Sequence, residues 1–171
     1  MPAGATYEPI ATNTLSTTTA TVTFSSISAS YTDLILVSNN VKSVAAGATM
    51  LLRFNNDTSA LYSHTELYGN GTTAASARTT SGTVIPIQYF VGVGTANEGV
   101  INITHIMNYS NTTTNKTILA RENNAPDPNS PGTGAIVGLW RNTAAINRID
   151  ILSSSSFTSG STFTLYGIKA A

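Results

Sequence analysis

The stretch Thr162-Phe163-Thr164-Leu165-Tyr166-Gly167-Ile168 alternates. Phe163, Leu165 and Gly167 fall on one side of an extended chain, and Thr164, Tyr166 and Ile168 on the other. A helical period of 3.6 residues would scatter the same side chains around an axis. Upstream, Val100-Ile101-Asn102-Ile103-Thr104-His105-Ile106-Met107 has the same texture, with Ile101, Ile103 and His105 opposite Val100, Asn102, Thr104 and Ile106. In these strands one face is apolar and the other mixed, as a half-buried strand requires. Working outward, β-branched or aromatic runs bounded by Gly, Asn, Ser or Pro recur at 21–25, 33–37, 50–54, 83–91, 100–109, 116–121, 135–141 and 146–152. Residues 33–37 form a continuous apolar run, expected of a strand covered on both faces. Only 72–78 offers a weak helical pattern. Nine to ten strands in one chain of 171 residues predict an all-β fold, an antiparallel two-sheet β-sandwich. That strand number favours a jelly-roll-like arrangement over a seven-stranded immunoglobulin type.

Composition narrows the function classes. Ser and Thr supply 47 residues (19 and 28) and Asn another 16, while Asp, Glu, Lys and Arg together supply 16. An average soluble domain of this length carries about 43 charged residues, so this surface is wetted by hydroxyls and amides. Eight cations cancel eight anions. The clustered basic charge of a nucleic-acid or acidic-membrane binder is therefore missing, and both partner classes are excluded. The absence of cysteine removes disulfides, zinc-thiolate sites and thiol catalysis. Met1-Pro2-Ala3-Gly4-Ala5-Thr6-Tyr7 lacks the basic and apolar regions of a secretory signal, and no run approaches the ~20 apolar residues of a membrane-spanning helix. Synthesis in a cytosol is the expectation. Asn-x-Ser/Thr sequons at Asn56, Asn70, Asn102, Asn108, Asn111 and Asn115 are what a chain this rich in Asn, Ser and Thr produces by chance, and they signal no glycosylation.

Residues 55–60, 69–82 and 122–134 read as long loops, the last packing three prolines and two glycines into thirteen residues. Residues 1–15 are either an arm that packs on a neighbour or the first strand, with 16–171 a single sandwich domain. Tyr7 and Ile10 are the anchors such an arm would use. Tyr68, Asn70 and Asp127 are the candidate contacts in the loops.

Candidate chemistry is sparse. His64 with Glu66 two residues on has the composition of a base and its orienter, but no Gly-x-Ser-x-Gly elbow accompanies them. His105 lies in the most apolar strand and reads as a neutral, hydrogen-bonded imidazole. A glycosidase needs two acids ~5–10 Å apart; Glu8, Asp33, Glu66, Glu98, Glu122, Asp127 and Asp150 stand singly, and no pair is nominated. Asn55-Asn56-Asp57-Thr58-Ser59 offers oxygen ligands for calcium, but an Asx turn closing the preceding strand is the better reading. Tyr62, Tyr68, Tyr89, Tyr109 and Trp140 are available as sugar platforms. The apolar run before Trp140 (Ile136, Val137, Leu139) favours burial for that residue. No catalytic residue, metal or cofactor is expected.

Several strings resemble those of structural proteins of tailed bacteriophages, particularly phages of aquatic bacteria. They are Tyr31-Thr32-Asp33-Leu34-Ile35-Leu36-Val37, Leu52-Arg53-Phe54-Asn55-Asn56-Asp57, Leu67-Tyr68-Gly69-Asn70-Gly71, Met107-Asn108-Tyr109-Ser110-Asn111-Thr112, Gly138-Leu139-Trp140-Arg141 and Gly160-Ser161-Thr162-Phe163-Thr164-Leu165-Tyr166-Gly167-Ile168. They extend over about residues 7–168. The resemblance implies a β-sandwich virion module, on the capsid as a decoration protein or on the tail as a fibre or receptor-binding part. No catalytic or ligand-binding residue comes with it. A fibre is usually longer, with an attachment domain and a shaft, so the expectation is a non-enzymatic capsid decoration or cement protein, made in the host bacterial cytoplasm and located on the virion's capsid surface. Its expected partners are the major capsid protein and two further copies of itself in a homotrimer. The alternative is a tail fibre or baseplate receptor-binding module that recognises host surface glycan.

Overall fold

The computed structural model describes residues 6–93, 95, 99–124 and 132–169. Among them are twelve strands: β1 (Tyr7–Thr14), β2 (Thr19–Phe24), β3 (Asp33–Val41), β4 (Ala48–Phe54), β5 (Tyr62–Gly69), β6 (Ala74–Gly82), β7 (Ile85–Val93), β8 (Val100–Met107), β9 (Lys116–Asn123), β10 (Thr133–Trp140), β11 (Ile149–Phe157) and β12 (Thr162–Ile168). They pair antiparallel in two sheets, one of eight strands in the order β1-β12-β3-β8-β9-β10-β5-β6 and one of four in the order β2-β11-β4-β7. The chain crosses between sheets at each step from β2 to β5, stays for β6, returns at β7, crosses to β8 and comes back at β11. This is jelly-roll winding. The β8-β9-β10 meander stands where an eight-stranded version has one strand, and β1 and β12 extend the β3 edge.

The core lies between the sheets. Leu34, Leu36, Phe163 and Leu165 fill one end, Ile106, Ile118 and Ile136 the middle, and Met50, Leu52, Ile149 and Ile151 meet them from the small sheet. Trp140 is 1% exposed, stacks on Tyr62 with ring centroids 6.1 Å apart, and lies 5.6 Å from Phe54. Such aromatic groups bury large areas, and their polar tips find partners. Trp140 donates its indole N–H to Asp57 Oδ2 at 2.8 Å, and the Phe54 N–H donates to the Tyr62 hydroxyl at 3.1 Å.

Expectations for three segments are corrected. Residues 72–78 form no helix and 69–82 no long loop: a turn at 70–73, closed by Asn70 N–H to Thr73 O at 3.2 Å, joins β5 to β6. The β6 sequence Ala-Ala-Ser-Ala-Arg-Thr-Thr-Ser-Gly lacks a strand signature because it lies at a sheet edge with no side chain buried, so no alternation was imposed on it. Residues 122–123 and 133–134, read as loop, belong to β9 and β10. On β8 the mixed face points inward, with Val100, Asn102, Thr104 and Ile106 buried. Those polar side chains are satisfied where β7 crosses: Asn102 Nδ2 donates to the Ile87 carbonyl, and Thr104 Oγ1 donates to Asn102 Oδ1 at 2.8 Å. Residues 7–14, left open between arm and strand, form edge strand β1.

Candidate functional site

Because β8 turns its polar residues inward, the apolar set Ile101, Ile103 and Met107 is delivered to the outer face of the large sheet. Register aligns that face across neighbouring strands. One row runs Ile35, His105, Leu119, Val137, Thr65, and the next runs Val37, Ile103, Arg121, Ala135, Leu67. Pleating puts alternate residues on one side, so these rows share a surface. Ile101 is 45% exposed, Met107 37%, Leu119 38%, Val137 55% and Leu67 64%. Over β8, β9, β10 and β5 the patch measures about 14 Å by about 20 Å from strand spacing and rise. Arg121 and His105 are the ionisable side chains in these two rows over those four strands. Scattered apolar residues on a surface are ordinary, whereas a contiguous patch of a few hundred Å² marks an interaction site.

The inner face beneath the far end of this patch carries a second cluster. Glu66 on β5 and Glu122 on β9 are each 1% exposed, with β10 between them: Glu66 lies opposite Ile136, and Glu122 opposite Gly134. The absent side chain at Gly134 makes room for Glu122, since a Cβ there would sit 2.4 Å from Glu122 Oε1. Glu122 Oε2 accepts the Tyr89 N–H at 2.7 Å. Glu122 Oε1 and both Glu66 oxygens have no hydrogen-bond partner among the described residues. Burial, and secondarily the negative charge of Glu122, pushes Glu66 up to about 7. Burial pushes Glu122 up to about 7 as well, against the opposing Tyr89 hydrogen bond. Two acids that stood singly in the sequence thus become an electrostatically coupled pair, and they are shielded from solvent.

The remaining candidates disperse. His64 shares the inner face of β5 with Glu66, but its Nδ1 is buried without a partner among the described residues, so the two form no hydrogen-bonded base and orienter. Burial holds His64 below the usual histidine range. His105 does not carry the full hydrogen bonding expected of it, its Nε2 being buried without a partner among the described residues. Asp57 closes an Asx turn, accepting from Ser59 N at 2.9 Å, with Asn55 and Asn56 at positive φ. Its two oxygens are engaged by Ser59 and Trp140. Tyr62, Tyr109 and Trp140 are core residues, while Tyr89 is 43% exposed. Among the described Asp, Glu, His and Cys residues no group of three or more is placed to hold a metal ion.

Of the anchors named for the N-terminal segment, Tyr7 is 55% exposed, and Ile10 packs partly buried against the core. Tyr68 is half-buried in β5. Asn70 spends its side-chain oxygen on the turn, accepting from Thr73 N at 2.8 Å and Thr72 N at 3.1 Å. Asp127 lies outside the described residues. Apolar residues on both faces of single strands (Ile35 and Leu36, Ile106 and Met107) predict exposed apolar patches on an isolated chain, and the structure shows one; which side chains compose it depended on strand order. Compared with protein-family models, with curated proteins and with solved structures, the chain finds no match in any of the three.

Proposed function

We propose that the chain is a non-enzymatic structural protein of a phage virion, a decoration module that docks on the assembled capsid through the outer face of its eight-stranded sheet. The observation that carries this reading is the contiguous exposed patch of Ile101, Met107, Leu119, Val137 and Leu67. A patch with so few charges closes against another protein without desolvating many ions. The carboxylate pair that a hydrolase would need is 1% exposed at each member, out of reach of a polymer substrate, which favours a binding role. Bridging neighbouring shell subunits through such faces ties them together, so that opening the shell must also break decoration contacts.

The test is co-sedimentation with purified capsids, paired with localisation of the chain in whole-virion density. Wild type is expected to pellet with capsids. Leu119→Lys combined with Val137→Lys is expected to stay in the supernatant with an unchanged melting temperature, because both side chains are already substantially exposed. Wild type that ignores capsids, density confined to the tail, or a double variant that binds as well as wild type overturns the proposal.

A further inference from the structure

Each sheet ends in two edge strands, and an edge presents unpaired N–H and C=O groups that template pairing with another chain. Three of the four edges carry protection. β1 contains Pro9, a register break between Pro9 and Ala11, and Glu8 in an ion pair with Lys169 at 2.6 Å. β7 contains Pro86 and two register breaks against β4. β2 has six residues, and its ladder with β11 is interrupted between Leu152 and Phe157.

β6 shares only one of these devices, a register break against β5 between Thr79 and Gly82 at its C-terminal end. It runs nine residues without proline, pairs regularly with β5 from Thr79 to Ala74, and carries Arg78 as its one charge. The four-stranded sheet stops at β7 and does not cover it: Ala75, Ala77 and Gly82 are half-buried, and the other six residues are exposed. A strand that buries no side chain gains little from its own fold to offset the entropy of ordering, and a further strand alongside would supply the missing contacts.

We infer that the free edge of β6 pairs antiparallel with β6 of a second copy across a two-fold axis, making one continuous sheet through both chains. Antiparallel pairing makes an edge complementary to itself, which is the geometry of an isologous joint. Charge selects the register. With Ser76 opposite Ser76 of the second copy, Ala75 lies opposite Ala77, and each Arg78 faces Ala74, so the two arginines are kept apart. The side chains along Ala74–Ala77 are small, which allows close approach. The joint also extends the outer patch across both copies, since Leu67 neighbours Ser76 on that face. The inference is independent of capsid docking, because it concerns the protein alone in solution.

The experiment combines sedimentation equilibrium of the full chain with cysteine cross-linking, for which the cysteine-free sequence is a clean background. Wild type is expected to sediment at twice the chain mass, or as an even-numbered assembly. Ser76→Cys or Ala77→Cys is expected to give a two-chain product with a short bismaleimide, while Thr12→Cys on β1 gives none above background. Ser76→Lys combined with Ala77→Lys is expected to lose the dimer with circular dichroism unchanged; should it misfold, the cysteine variants decide alone. A monomer throughout the micromolar range overturns the inference. So does an assembly, threefold or otherwise, in which the β6 cysteines cross-link no better than the β1 control.

Discussion

Replacing Glu122 with glutamine removes one charge from the buried pair and keeps its shape. The new side chain retains an oxygen for the Tyr89 N–H, which is 2.7 Å from the present carboxylate, and turns a donor toward the space where Glu122 Oε1 now lacks a partner. With the Glu122 carboxyl held near 7 by burial, against 4.5 for an unperturbed glutamate, and about 1.4 kcal/mol per pKa unit, ionisation disfavours the folded state by about 3 kcal/mol at pH 8. For a chain of this size that corresponds to a melting temperature about 6–12 °C higher in Glu122→Gln at pH 8. The sign follows from proton counting. Between about pH 4.5 and 7 the folded protein keeps protons on Glu66 and Glu122 that the unfolded chain has released, so stability falls as pH rises through this window. Below it both states are protonated and the advantage of the variant vanishes. Asp150 complicates the acid side: burial alone would raise its carboxyl, but hydrogen bonds from Arg148 and Thr23 hold it below the usual range, and its contribution is lost as pH falls. Taking the difference between variant and wild type cancels that background. The assay is thermal melting by circular dichroism at pH 4, 6 and 8. A variant no more stable than wild type at pH 8, or equally stabilised at pH 4 and pH 8, refutes the charge argument.

Gly138→Ala is expected to cost about 1–3 kcal/mol by overpacking, read as a lower urea midpoint, because a Cβ there would sit 2.6 Å from Ile85 Cγ2 and 2.8 Å from Ile118 Cγ1; an unchanged midpoint would mean that β7 lies less closely over β10. Asp57→Ala leaves the Trp140 indole N–H without its 2.8 Å acceptor and is expected to cost about 1–3 kcal/mol. Trp140 is the one tryptophan of the chain, so its emission spectrum reports the change directly, and identical spectra and stability would argue against that hydrogen bond.

Strand texture was legible because it is a local property. The period-two pattern of residues 162–168 corresponds to β12 with the same bounds, and the apolar run at 33–37 begins β3, where Leu34, Ile35 and Leu36 are buried together. Burial of Trp140 followed from its apolar neighbours, and the turn at Asp57 from side-chain geometry that needs only the next two residues. Low charge, too, was a fact of composition. None of these depends on which strands become neighbours.

What depended on neighbours only the tertiary structure decided. The inward face of β8 was set by β7, whose Ile87 carbonyl receives Asn102 and makes a polar side chain tolerable in the core. β6 left no mark in the sequence because burial writes the alternation, and this edge strand, which the second sheet does not cover, buries no side chain. Glu66 and Glu122 became a pair through strand register across β10, and the outer patch was assembled from four strands that the chain visits out of spatial order, β5 lying beside β10. Long-range pairing satisfies backbone hydrogen bonds with whatever strand topology supplies, so the identity of a residue's cross-strand neighbour is encoded in the packing of the whole chain and not in its own segment.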